Sequence, residues 1–300
     1  MAKVEGKDLE FWFNGVEVPV ISASLSEAFD TLDSTDSATP GDGKDFEVGR
    51  AARSFSIEAN LYKPLGAEIA TGNLVVGNRY IVTSVGTVLA AYEVGQIFTA
   101  ETALTMDTDD KVKLLTDKLT GKDMAFTFDA GDVPLVSADI SIKYDSLDVT
   151  DTDTTGDGSE TIVSRAERES KISCIMKSET ADLLTTDPTA EAATLTFGAG
   201  QTIVGTILPV GKEVADEVNG YAKVDYTFKW KGAPTETEVG LVCGVEHAFK
   251  LILKRGVSTN KEYTGNAIVT EKSISSEVKG LTKVSYSISI NGAVTYAVAN

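Results

Sequence analysis

One passage of this sequence is written twice. Residues 6–63 align with residues 121–178 without a gap, 115 residues apart, and 24 of the 58 positions are identical. GKDLEFWFNGVEVPVISASLS opens the first copy at Gly6; GKDMAFTFDAGDVPLVSADIS opens the second at Gly121. A repeat of this length is a duplicated domain rather than a short solenoid unit. It restricts the chain to folds that hold two equivalent units. It also favours a part used many times in a symmetric assembly over a lone catalyst.

Hydrophobicity alternates with period two inside the repeat, which is the mark of a strand with one buried face. Phe55, Ile57, Ala59 and Leu61 share a face in the first copy, and Ile172, Cys174 and Met176 do so in the second. Phe11 and Phe13 are matched by Phe126 and Phe128. A fainter duplication follows at an offset of 60, where residues 205–233 match residues 265–293 at 10 of 29 positions. Its clearest piece is AKVDYTFKWKGA against TKVSYSISINGA. The predicted class is all-β, with two homologous sandwich or barrel-forming domains.

The order front, front, back, back parses most simply as nesting. Residues 1–72 then form the front half of an outer domain, 119–237 an inner domain, and 238–300 the outer domain's back half. The alternative crosses the halves and joins 1–72 to 190–237. Residues 73–118 have no counterpart in the second copy and read as an inserted small β module. Short helical turns are expected at Leu65–Ala70 and Ala181–Leu184.

Each front half carries an acidic segment of constant length, 30–49 and 145–164, with GDG at the same place. Each is expected to be a long loop of the kind that serves contacts. The candidate contact residues are Asp30, Asp33, Asp36, Asp42 and Asp45 with Arg50 and Arg53 in the first copy. In the second they are Asp145, Asp148, Asp151, Asp153 and Asp157 with Arg165 and Arg168. A calcium loop is a poor fit to 151–162, because Ile162 stands where a bidentate Glu is needed.

Forty-five acidic side chains against 27 basic ones give a net charge of −18. Such a field repels phosphate, so nucleic-acid binding by charge neutralisation is not expected. Cys174 and Cys243 lack metal or bridge spacing and are expected as free thiols. The single histidine, His247, removes most histidine-based triads and metal sites. GTILPVGKE at 205–213 misses phosphate-loop spacing and reads as strand and turn. No catalytic residue, cofactor or metal is expected. No apolar run approaches the length of a membrane span, and MAKVEGKDLE has no apolar core of a signal peptide.

The order of motifs resembles the major tail tube proteins of long-tailed bacteriophages. A GKDL-type strand at Gly6–Phe13 precedes the acidic segment, the basic turn Arg50–Arg53 and the SFSI-like strand Ser54–Tyr62. Gly265–Val269 and the closing strand Lys283–Ala293 match the family's end. Val76–Ser84 and Gly95–Ala100 resemble a small β segment common in phage virion proteins. The resemblance implies a ring-forming subunit whose sheets join into a β-barrel around a channel, which the net charge of −18 would make acidic. It further implies a virion tail protein assembled in the host cytoplasm. Its partners would be other copies of itself, a tape-measure protein, tail terminator and distal tail proteins, and DNA in transit without specific binding. With two tube units per chain, a homotrimer of pseudo-sixfold symmetry is expected in place of the family's usual six-chain ring. Two other readings stay open: a tube protein of a contractile injection machine, and a secreted calcium-stabilised adhesin or surface-layer protein.

Overall fold

Period-two alternation becomes twenty strands and no α-helix among the described residues. The computed structural model describes residues 9–34, 46–63, 66–115, 118–151, 158–176, 182–184, 188–198, 200–216, 222–237, 239–254 and 260–299. The first group of strands is β1 (Leu9–Phe13), β2 (Val16–Val18), β3 (Val20–Asp33) and β4 (Phe46–Asn60). Six short strands follow: β5 (Glu68–Ile69), β6 (Gly72–Asn73), β7 (Arg79–Ser84), β8 (Ile97–Thr99), β9 (Thr105–Met106) and β10 (Lys111–Leu115). Then come β11 (Ala125–Phe128), β12 (Gly131–Val133), β13 (Leu135–Asp148), β14 (Thr161–Met176), β15 (Glu191–Gly198), β16 (Gln201–Asp216) and β17 (Ala222–Thr237). The last three are β18 (Glu246–Lys254), β19 (Asn260–Glu277) and β20 (Lys283–Ala299). The fold is all-β.

Hydrogen bonding sorts fourteen strands into two sets with one topology. One set runs β12-β11-β15-β16-β17-β14-β13, and the other runs β2-β1-β18-β19-β20-β4-β3. The front strands β1 and β4 therefore pair with β18 and β20 from the far end of the chain. Their repeats β11 and β14 pair with the nearby β15 and β17.

The packing shows how two diverged copies fill one shape. In the outer set, Phe55 on β4 stands opposite Ile288 on β20. At the equivalent pair of the inner set, Ser170 stands opposite Phe228. The aromatic ring has crossed to the partner strand, so the volume between the two positions is kept. Phe55 packs edge-on against Phe11 and Phe249 at 5.8 and 5.1 Å, while Phe228 lies 5.7 Å from both Phe126 and Phe128. Ser170, left without an apolar role, accepts a 2.7 Å hydrogen bond from the Trp230 indole. Both copies also turn from their first to their second strand through two residues of positive φ, Asn14-Gly15 and Asp129-Ala130. Such turns match the twist of a hairpin.

The expected twenty-residue loops are shorter than the sequence suggests. β3 runs on to Asp33 and β4 starts at Phe46, so only 34–45 lies between them. β13 and β14 likewise reach Asp148 and Thr161. Main-chain pairing carries these extensions, including Asp33↔Phe46 and Asp148↔Thr161, and it tolerates acidic side chains that stay in water. Among the described residues the expected helical turns do not form either. Glu68–Ile69 is a strand paired with β10, and Asp182–Leu184 forms bends. Leu65 and Ala181 lie outside the described residues. Segments this short cannot offset the cost of starting a helix, so tertiary pairing decides them.

Strands β5, β7, β8 and β10 form a four-stranded sheet with its own core of Leu74, Tyr80, Val82, Leu89, Phe98 and Val112. The chain enters and leaves it at one neck, where Leu119 N–H donates to Leu61 O and Tyr62 bridges Lys118. Asp110, which has no solvent exposure, pins the module's long turn. Its carboxylate accepts the backbone N–H groups of Gly86, Val88 and Leu89 at 2.6, 2.9 and 3.0 Å. Burial pushes this carboxyl up, but the three N–H bonds outweigh burial and hold it below the usual carboxylate range. Because the folded value is the depressed one, the stabilisation is complete above the unfolded value and fades as pH falls through the folded one. Asp110→Ala is expected to destabilise the module by about 2–3 kcal/mol. Asp110→Asn is expected to flatten its acid sensitivity, read as hydrogen exchange of residues 74–112 at pH 3 and pH 7. Exchange as acid-sensitive in the Asn variant as in the parent would show that another group controls the module.

Candidate assembly interface

The chain's two strand sets are joined edge to edge. β13, the last strand of the inner set, pairs antiparallel with the C-terminal half of β19 in the outer set. The register runs from Ser137↔Glu277 to Lys143↔Glu271. β18 occupies the same flank of β19 only as far as Ile268, so the strand's remaining length is open to β13. One face of the seam is buried and the other meets solvent. Ile140 faces Ile274 and Ala138 faces Ser276, and all four are buried.

A charge lies inside this seam. Lys272, opposite Ile142, keeps only 1% of its side chain exposed. Its ammonium is bound by the Glu236 carboxylate of β17 and donates to Val239 O and Leu241 O at 3.1 and 3.3 Å. One lysine of the outer set thus holds the end of β17, the last inner-set strand along the chain, and the connection that follows it. Nearby, the Cys243 thiol and the more distant Cys174 are free, and burial pushes each up to about 11. Both are protonated at neutral pH and are poor nucleophiles.

The root of the second acidic hairpin closes the seam from the other side. Gly158 bridges Ala51 in parallel, Ser159 N–H donates to Ala51 O at 3.1 Å, and Gly292 N–H donates to Ser159 O at 2.8 Å. Thr161 N–H donates to the Asn291 side chain, whose amide returns a 3.0 Å bond to Thr161 O. Arg50 reaches over this root and donates to Asp151 O at 2.6 Å. Asp148 is held below its usual range, first by the Thr150 hydroxyl and backbone and then by the Arg50 charge.

The candidate residues named from sequence divide along these lines. Arg50, Asp148 and Asp151 meet at the seam, and Asp30 lines the same cleft. Asp30, Asp33 and Asp145 are exposed on the strand extensions, and Arg165 is exposed on β14. Arg53 binds Glu27 at 2.6 Å and lies 6.0 Å from the Phe29 ring. Arg168 donates to the Tyr144 hydroxyl at 3.3 Å and lies over that ring at 5.7 Å. Asp36, Asp42, Asp45, Asp153 and Asp157 lie outside the described residues. His247 sits on β18, edge-on to Phe13 at 5.3 Å. Sequence reasoning passed over Glu27, Glu236, Lys272 and the contact of Gly158 with Gly292. Only Lys272 carried a signal, since it shares the period-two face of Ile274.

No family model matches this chain, and no curated protein sequence matches it. Among solved structures, a chain described as "Virion of native gene transfer agent (GTA) particle" is 18% identical with a TM-score of 0.34, covering 39% of this chain and 98% of that one. A likeness that slight sets neither fold nor function.

Proposed function

We propose that this chain is a structural virion protein, the tube subunit of a phage tail. Copies join side by side into rings and stack into a hollow conduit for the tape-measure protein and then for DNA. The observation that carries this reading is the seam itself. Two sets of identical topology are already merged through strand edges into one continuous sheet, which is what neighbouring positions of a ring require. Further support comes from the sequence resemblance and from the charge of −18, since an acidic lumen lets phosphates pass without sticking.

The purified protein at high concentration is expected to form hollow tubes in negative-stain images. If each strand set fills one sixth of a ring, the reconstruction will show true threefold and approximate sixfold symmetry. Six chains per ring would overturn that stoichiometry. Protein that stays monomeric at all concentrations and ionic strengths tested would overturn the tube reading.

A further inference from the structure

The seam inside the chain has an unfilled counterpart at each outer flank. β3 is the repeat of β13, yet among the described residues it pairs only with β4. β16 is the repeat of β19; β15 occupies one of its flanks as far as Ile207, and beyond that point β17 is its sole strand partner among the described residues. The chain therefore carries one half of the same junction on each side.

We propose that β3 of one chain pairs antiparallel with residues 211–215 of β16 in the next copy, in the register that the internal seam prescribes. This deepens the tube reading and rests on it. Subtracting the repeat offsets of 115 and 60 from the seam's pairs gives Ser24 opposite Ala215, Leu25 opposite Val214, Ser26 opposite Glu213, Glu27 opposite Lys212 and Ala28 opposite Gly211.

Three observations support this assignment. The first is exposure. Leu25 and Val214 are 40% and 56% exposed, whereas their counterparts Ile140 and Ile274 are 2% and 0% exposed inside the seam. Phe29, at 47%, and Val210, at 48%, extend the apolar surface along the same two strands. A bare, apolar strand edge is a template for another strand, and a heterologous contact of this kind forms a ring when its rotation closes.

The second is charge. At the seam Ile142 faces Lys272, and the lysine's carboxylate comes from Glu236. The position equivalent to Glu236 in the other set is Tyr296, which has no charge to offer Lys212. The edge strand compensates, because Glu27 stands where Ile142 does. Opposite charges then lie directly across the ladder, where such pairs stabilise a sheet. In the single chain Lys212 turns to Asp182 and Glu27 to Arg53, so pairing merges two ion pairs into one alternating cluster.

The third is Arg50. It holds the hairpin root of the unit across the seam, while its repeat, Arg165, is exposed on the flank that would face the next chain.

Cysteine pairing reads the register directly. Cross-strand neighbours have Cα atoms about 4.5–5.5 Å apart, within reach of a disulfide. Leu25→Cys and Val214→Cys chains, co-expressed and assembled, are expected to give covalent dimers on mild oxidation, while neither variant alone does so. Leu25→Cys with Glu213→Cys, whose side chains leave opposite faces, is expected to cross-link at least about tenfold less. In parallel, Glu27→Lys and Lys212→Glu should each block assembly, and the double exchange should restore it. Tubes that form without the 25–214 cross-link, or with equal linking at 25–213, would overturn this register and leave the tube reading intact. Folded chains that never assemble would overturn both.

Discussion

Glu236→Ala is expected to cost about 2–4 kcal/mol, a large effect for a residue that looks like one more surface carboxylate on a strongly acidic chain. The reason is what it leaves behind. Lys272 is nearly sealed within the seam, and Glu236 is its one ion-pair partner among the described residues. Removing one member of a buried pair strands the other charge in a medium that solvates it poorly. Glu236 keeps 28% of its side chain in solvent, so the figure lies below that for a fully buried pair. Lys272→Met is expected to cost less, because it removes the charge and fills the space, though Val239 O and Leu241 O lose a donor. The double variant should then be more stable than Glu236→Ala alone, and chemical denaturation of all four proteins gives the coupling. A loss below about 1 kcal/mol for Glu236→Ala would mean that water reaches Lys272 and that the two sets are held by strand pairing alone.

Gly158→Ala carries the second large effect. An added Cβ would lie 1.7 Å from Gly292 O and 2.4 Å from Gly292 C, both main-chain atoms with no freedom to step aside. The hairpin root must lift from the outer set. It would lose the Ser159 bond to Ala51 and the Gly292 bond to Ser159, and the Asn291–Thr161 exchange would weaken. Two backbone bonds and the displaced packing together correspond to about 3 kcal/mol. Gly232→Ala is the control, since its Cβ meets nothing within 4 Å and only the left-handed φ of 79° is penalised, about 1 kcal/mol. Hydrogen exchange should report the difference as protection lost at Ser159, Thr161 and Gly292 in the first variant and kept in the second. Unchanged protection at those amides would show that the root does not rest on the outer set.

Much of this molecule was legible before any coordinates. The alternation around Phe11, Phe55, Tyr226 and Tyr286 specified strands with one buried face, because side chains on a pleated strand can reach only two directions. The two offsets, 115 and 60, made the strands of one half equivalent to those of the other, since related sequence at a fixed spacing without gaps keeps the same backbone. The GDG shared by both copies was visible as a repeat, but that Gly158 admits no side chain was not, because its partner, Gly292, lies far along the chain. The ends of the acidic hairpins were misread because main-chain pairing leaves no trace in exposed, charged side chains.

Only the tertiary structure decided which repeat pairs with which, and what lies at the seam. Sequence alone left β4 free to join β17 or β20, since Tyr226 and Tyr286 offer the same face to it. It could not show that Lys272 is buried, because a lysine on an apolar face is also what a solvated edge strand displays. Nor could it separate Leu25 from Ile140, two aliphatic residues at one repeat position. One is sealed by β19 and the other is bare, because burial depends on which strand lies alongside, and that neighbour is supplied by chain segments more than a hundred residues away.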